Sequence, residues 1–132
     1  MVSFAQNESC EQIDTLFRTE QHHKVIVLCT ELIDKGVDCR DNTGAQLFLM
    51  RGVSKASLGD NLGAIHDLDT YIESTKGIES ERFIKWYLQT AYESRGLSCL
   101  KIGNKEQGCL RLSKCGEYGD RRAYDLISKF CN

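Results

Sequence analysis

The 132-residue chain contains no proline. Nothing in it therefore removes a backbone N–H from a helical ladder or wedges a ring into the preceding turn. Together with many Leu, Ile, Lys, Glu and Gln residues, that absence predicts an all-α fold. Long apolar runs are missing too. The best, Val25 to Leu28, falls far short of the roughly 18 residues a bilayer span needs, so no membrane insertion is expected. Charge of one sign is also scarce: 17 Lys and Arg stand against 19 Asp and Glu. The one local basic cluster, Lys114, Arg121 and Arg122, cannot track a phosphate backbone, and nucleic acid is not an expected partner. No C-x-x-C occurs among the cysteines, which excludes a local thioredoxin-like motif or paired zinc knuckle. With 41% hydrophobic and 27% charged residues, the composition is that of a folded chain. Its length suits one domain.

Internal repetition is present. Arg51-Gly52 followed by Leu58-Gly59-Asp60-Asn61-Leu62-Gly63-Ala64 superposes, at a shift of 44, on Arg95-Gly96 followed by Ile102-Gly103-Asn104-Lys105-Glu106-Gln107-Gly108. Gly52 and Ala64 stand 12 apart, as do Gly96 and Gly108, and each second member is followed by an apolar residue four on, Leu68 or Leu112. A small side chain on each of two antiparallel helices lets their backbones approach. A mid-helix glycine costs about 1 kcal/mol relative to alanine, so close packing is the natural reason for Gly52 and Gly96. Gly59-Asp60 and Gly103-Asn104 then read as a C-cap glycine followed by an N-cap for the next helix.

A weaker copy precedes these, with Ile13 and Val25 also 12 apart, followed by Cys29 and Leu32. Its small residues are lost, as befits a terminal unit with one face in solvent. The pattern predicts helices near 8–19, 22–35, 43–58, 61–75, 80–102, 105–116 and 120–131, with Gly77 marking the break before the fifth. Tyr124, Ile127 and Phe130 at helical spacing behind Asp120 make the last a capping helix.

These features resemble the tetratricopeptide repeat family, and in particular small members from Bacteroidetes. The likeness is carried by residues 45–72 and by the closing run Gly103-Asn104-Lys105-Glu106-Gln107-Gly108-Cys109 to Gly119-Asp120-Arg121-Arg122-Ala123-Tyr124-Asp125-Leu126-Ile127. Phe48 and Tyr92 stand for the family's aromatic; the proline expected after each repeat is absent. The resemblance implies one domain over 8–131, a right-handed α-α superhelix of about three helix pairs (8–35, 43–75 and 80–116) plus a capping helix at 120–131. The interval of 44 from Ala64 to Gly108 exceeds the family norm of about 34, which implies an extra turn or two in the fifth helix. The resemblance further implies a protein- or peptide-binding scaffold without chemistry of its own. Its concave groove is formed by the first helix of each repeat: Gln46, Leu49, Val53 and Ala56 in the second unit, and Thr90, Glu93, Leu97 and Lys101 in the third. The alternative for the apolar members is simple packing against neighbouring helices. Arg51 and Arg95 recur at one register, which points to a shared packing template before a ligand.

No set of residues looks catalytic, and neither metal nor cofactor is expected. Adjacent His22 and His23 diverge on a helix or turn. His66, Asp67 and Asp69 offer two same-face ligands at most, and they read as a solvated helix face. A cysteine nucleophile is the least favoured reading, since no cysteine sits in an activating motif.

Seven cysteines are many for this length. In an antiparallel hairpin of helices 105–116 and 120–131, residues about evenly spaced from the turn beginning near 118 face each other. That pairs Cys109 with Cys131, a bridge worth about 3 kcal/mol for such a loop; Cys99 is a rival partner for Cys109, and unbridged thiols are the third possibility. Val2-Ser3-Phe4-Ala5-Gln6-Asn7 resembles the end of a secretory signal peptide cut after Ala5. Residues 1–7 are then a signal remnant or a disordered N-terminus and the protein periplasmic; an ordinary N-terminus in a cytoplasmic protein is the alternative. A structural subunit of an envelope or secretion assembly is the second functional expectation, and partner identity and oligomeric state lie beyond the sequence.

Overall fold

The computed structural model describes residues 4–39 and 45–132. The chain is all-α, as its sequence predicts: among the described residues there are seven helices and no strand. They are α1 (Phe4–Arg18), α2 (His22–Asp34), α3 (Gln46–Ser57), α4 (Asn61–Ser74), α5 (Arg82–Lys101), α6 (Lys105–Glu117) and α7 (Arg121–Phe130). Among these residues no helix is long and apolar enough to cross a membrane.

Helix ends fall where local chemistry places them. Gly59, Gly103 and Gly119 take φ of +87°, +86° and +97°, left-handed values that cost glycine nothing and reverse the chain at a helix C-terminus. Immediately after each stands an N-cap. Asp60 accepts from the Gly63 N–H at 3.0 Å, Asn104 from Gln107 at 3.2 Å and Asp120 from Arg122 at 2.9 Å, which satisfies donors that the first turn leaves without partners. Two starts differ from expectation. α1 begins at Phe4 rather than near 8, so residues 4–7, expected as a signal remnant or disordered end, are helical; no glycine or proline interrupts the helix there, and Ser9 back-bonds to the Ala5 carbonyl within it. α3 begins at Gln46, while 43 and 44 of its expected start lie outside the described residues.

Each helix packs against its neighbours in the chain, and α3 also meets α5. The pairs in most extensive contact, α5 with α6 and α3 with α4, are those carrying the small residues. A Cβ on Gly96 would lie 3.0 Å from the Gly108 carbonyl oxygen and 3.2 Å from the Leu112 nitrogen, and one on Gly108 would lie 2.7 Å from Leu100 Cγ. Gly52 fits against Asp67 and Leu68, and Ala64 is fully buried. In the first unit Ile13 and Val25 occupy the corresponding places and are buried, with Cys29 and Leu32 beneath them. Two cores result. One joins Cys10, Ile13, Val25, Cys29 and Leu32 to Leu47 and Met50 of α3; the other runs through Leu68, Tyr71, Leu88, Tyr92 and Cys115 to Ala123 of α7.

Disulfides close both ends. Cys109 and Cys131 are bonded, enclosing the α6–α7 hairpin, and Cys10 is bonded to Cys39 across α1–α2, a pairing the sequence did not suggest. Cys29, Cys99 and Cys115 are free and buried.

Gly96→Ala tests the close approach. Because two of the three nearest atoms it meets, the Gly108 oxygen and the Leu112 nitrogen, are backbone on the facing helix, they cannot yield without parting α5 from α6. The helix-propensity gain of about 1 kcal/mol is outweighed, and a net loss of about 1–3 kcal/mol in urea denaturation is expected.

Candidate functional site

A cleft of about 480 Å³ opens between α1, α3 and α5. α1 contributes Asp14, Phe17 and Arg18; α3 contributes Gln46, Leu49 and Met50; α5 contributes Trp86, Tyr87 and Thr90. Five of the nine are large apolar or aromatic residues, and the volume lies in the range of ligand-binding clefts. Leu49 and Met50 are buried from their α3 side and form the floor. Trp86, the only tryptophan in the chain, is 63% exposed on the rim and stacks on Tyr87 with centroids 6.0 Å apart. Gln46 is buried, and its amide oxygen has no hydrogen-bond partner.

Of the eight residues expected in a groove, the structure brings three to this cleft: Gln46, Leu49 and Thr90. Val53 and Ala56 instead pack partly buried against the larger core. Lys101 is exposed in the last turn of α5, Leu97 is half-buried, and neither lines the cleft. Glu93 belongs to another cluster. α5 lines the cleft only at Trp86, Tyr87 and Thr90; Glu93, Leu97 and Lys101 continue the same face of the helix but lie beyond the cleft's end. Phe17 and Arg18, and the aromatic pair Trp86 and Tyr87, were missed. Phe83, Trp86, Tyr87 and Thr90 recur at i, i+3, i+4 and i+7, and two of them are large and exposed; that stripe was the available signal.

Of the residues read as a solvated face, Asp67 is not on one, while Asp69 is half-exposed. Asp67 is wholly buried and accepts from Arg51 Nε and Nη2, each at 2.8 Å, with Lys55 Nζ at 3.1 Å. Arg51 reaches Thr30 of α2 as well, at 3.2 Å, and its hydrogen bond to Asp67 raises the guanidinium further above its ordinary value. Asp69 is held by Arg95, whose ε nitrogen is in close contact with one carboxylate oxygen while the other lies 3.1 Å from a terminal nitrogen. Two acids in the second helix of one unit thus meet the repeated arginines, one on each side. His66 remains exposed.

Glu93, Cys115 and Asp120 converge where α5, α6 and the α7 N-cap meet, with their polar atoms within 4.8 Å of one another. The Cys115 thiol donates to the Gln89 carbonyl at 3.0 Å and to Asp120 at 3.2 Å, and Arg122 sits 3.1 Å from Glu93. Burial, helped by a hydrogen bond to Asp120, pushes Glu93 up to about 7. Asp120 is held below its ordinary value by the hydrogen bond from Glu93, then by those from Cys115 and the Arg122 N–H. Below about pH 7 the proton resides on Glu93 and the charge on Asp120. These groups engage one another, and Asp120 also caps α7.

Burial pushes the Cys29 thiol up to about 12 and raises Cys115 as well. His22 Nδ1 lies 3.0 Å from Ser54 Oγ, but Ser54 is fully buried, out of a substrate's reach. Compared with protein families, curated proteins and solved structures, the chain matches none.

Asp67→Ala would leave Arg51 and Lys55 facing an empty, desolvated site, and a loss of about 3–5 kcal/mol is expected in chemical denaturation. Glu93 gives a pH test. Its proton affinity is higher folded than unfolded, so its contribution is complete below the ordinary value of 4.5 and is lost as pH rises through about 7. Stability measured between pH 5 and 8 should fall with pH in this window, and Glu93→Gln should flatten that slope.

Proposed function

We propose that this protein is a non-catalytic binding module of tetratricopeptide type, a short α-solenoid whose groove takes a peptide or an exposed segment of another protein. One observation carries the reading. The cleft is walled by α1, α3 and α5, the first helices of the three successive units, and the exposed Trp86 stands on it beside Phe17 and Tyr87. Nearest-neighbour packing of helices, close approach at Gly52, Ala64, Gly96 and Gly108, and a closing helix α7 supply further support. Buried, raised thiols weigh against a cysteine-dependent enzyme. Export to an oxidising compartment such as the periplasm accords with the two disulfides.

A second reading, a subunit docked through the end of the array, has its own observation. Leu16, Val27 and Leu28 line a shallower cleft on α1 and α2, with Val27 59% exposed.

Trp86 makes the groove reading measurable, since it is the chain's sole tryptophan. Twelve-residue peptides selected from a random displayed library against the full chain should change Trp86 fluorescence on binding. They should lose at least about tenfold in affinity against Thr90→Arg, which places a long charged side chain in the cleft. Binders unaffected by Thr90→Arg but abolished by Val27→Arg would favour the end-docking reading instead.

A further inference from the structure

One polar group of the cleft is unspent, and it indicates what enters there. Four polar residues line the cleft. Asp14, Arg18 and Thr90 are exposed or half-buried, and Gln46 alone is buried, at 6% exposure. Asp14 and Arg18 carry opposite charges, so this lining favours neither sign of ligand. The side-chain oxygen of Gln46 is closed off from solvent and has no hydrogen-bond partner in the protein. Buried acceptors are normally paired, and one left unpaired weakens the fold that carries it. Around Gln46 the lining is aromatic and polarizable, with Phe17, Trp86, Tyr87 and the thioether of Met50. Such a lining suits a ring, because ring–ring and sulfur–ring contacts add to simple area burial.

Resting on the groove reading above, we infer that the cleft takes an aromatic side chain carrying its own hydrogen-bond donor, and that Gln46 is the acceptor that recognises it. The donor is the hydroxyl of a tyrosine or the indole N–H of a tryptophan in the bound segment. The terminal torsion of glutamine is broad, so the amide can turn its oxygen to meet a donor that enters the cleft. The ring supplies affinity by burial against the aromatic wall. The donor supplies discrimination: a ring without one leaves the Gln46 oxygen as unpaired as it is in the free protein and gains nothing from it. A cleft of about 480 Å³ holds one such side chain with part of its flanking backbone.

The test uses the full chain with both disulfides intact and twelve-residue peptides selected against it, with affinities read by titration calorimetry. Selected peptides should carry a tyrosine or tryptophan anchor. Replacing that anchor by its donor-free counterpart, tyrosine by phenylalanine or tryptophan by naphthylalanine, should weaken binding about tenfold, and the swap that does so identifies the donor. Gln46→Met keeps the length of the side chain without its acceptor, and against this variant each matched pair should bind alike. The same variant should raise the urea midpoint of the free chain, because it removes an unpaired polar atom from a buried place; a Gln46 spent on the fold would lower it. Helical circular dichroism checks that the variant is folded. An anchor indifferent to loss of its donor, a preference that survives Gln46→Met, or a lowered midpoint overturns the inference and leaves the groove reading standing. Peptides that do not sense Thr90→Arg overturn both.

Discussion

Two carboxylates on α4 hold the middle of this molecule together. Asp67 faces α3 and is gripped by Arg51 and Lys55; Asp69, two residues on, faces α5 and is gripped by Arg95. Apolar burial is nearly indifferent to a small slide of one helix along another, because the hydrophobic effect has no direction. A bidentate guanidinium is not indifferent, since it loses both hydrogen bonds when displaced. Charge burial itself costs desolvation, so these contacts are better understood as fixing geometry than as surplus stability. By pinning α4 on both flanks they set where α3 and α5 stand relative to each other. The extra arm from Arg51 to Thr30 extends the same register to α2.

The cleft depends on that register. α3 supplies its floor and α5 its aromatic wall, yet these two helices are not consecutive in the chain, and their separation is set by the helix between them. Glycine does the complementary work. Where Gly96 meets Gly108 the backbones themselves touch, so α6 cannot drift from α5 without giving up a large dispersion contact. A binding surface built this way has its exposed aromatic groups on rigid helices, which lowers the entropy that a ligand must overcome.

Much of the fold was legible because it is written locally. A glycine at positive φ followed by Asp or Asn specifies a helix end and a start within three residues, and Gly59-Asp60, Gly103-Asn104 and Gly119-Asp120 each do so. The small residues 12 apart could be read because they recur. The cleft was only partly legible. Stepping Gln46, Leu49, Val53 and Ala56 along α3, and Thr90 to Lys101 along α5, assumes that each helix keeps one face to the groove over its whole length. The crossing of α3 and α5 limits that contact to a few turns, so the later residues run past it. Asp67 was misread, and the partner of Asp69 was not foreseen, for a different reason. Their arginines lie 16 and 26 residues away, and no local pattern announces an ion pair between helices. The recurring Arg-Gly pair was the hint: an arginine beside a packing glycine is carried into the helix interface with it.

The bridges at the two extremities alter where the helical stack is weak. In a stack where each element leans mainly on its neighbours, the outermost pieces ordinarily fray first, having support from one side only. Here Cys10–Cys39 and Cys109–Cys131 each tie an outer hairpin into a closed loop, and a detached α1 or α7 remains tethered close to its seat. Loss of order is thereby steered inward, towards the junctions between units, and the aromatic wall of the cleft is shielded from the unzipping that begins at chain ends.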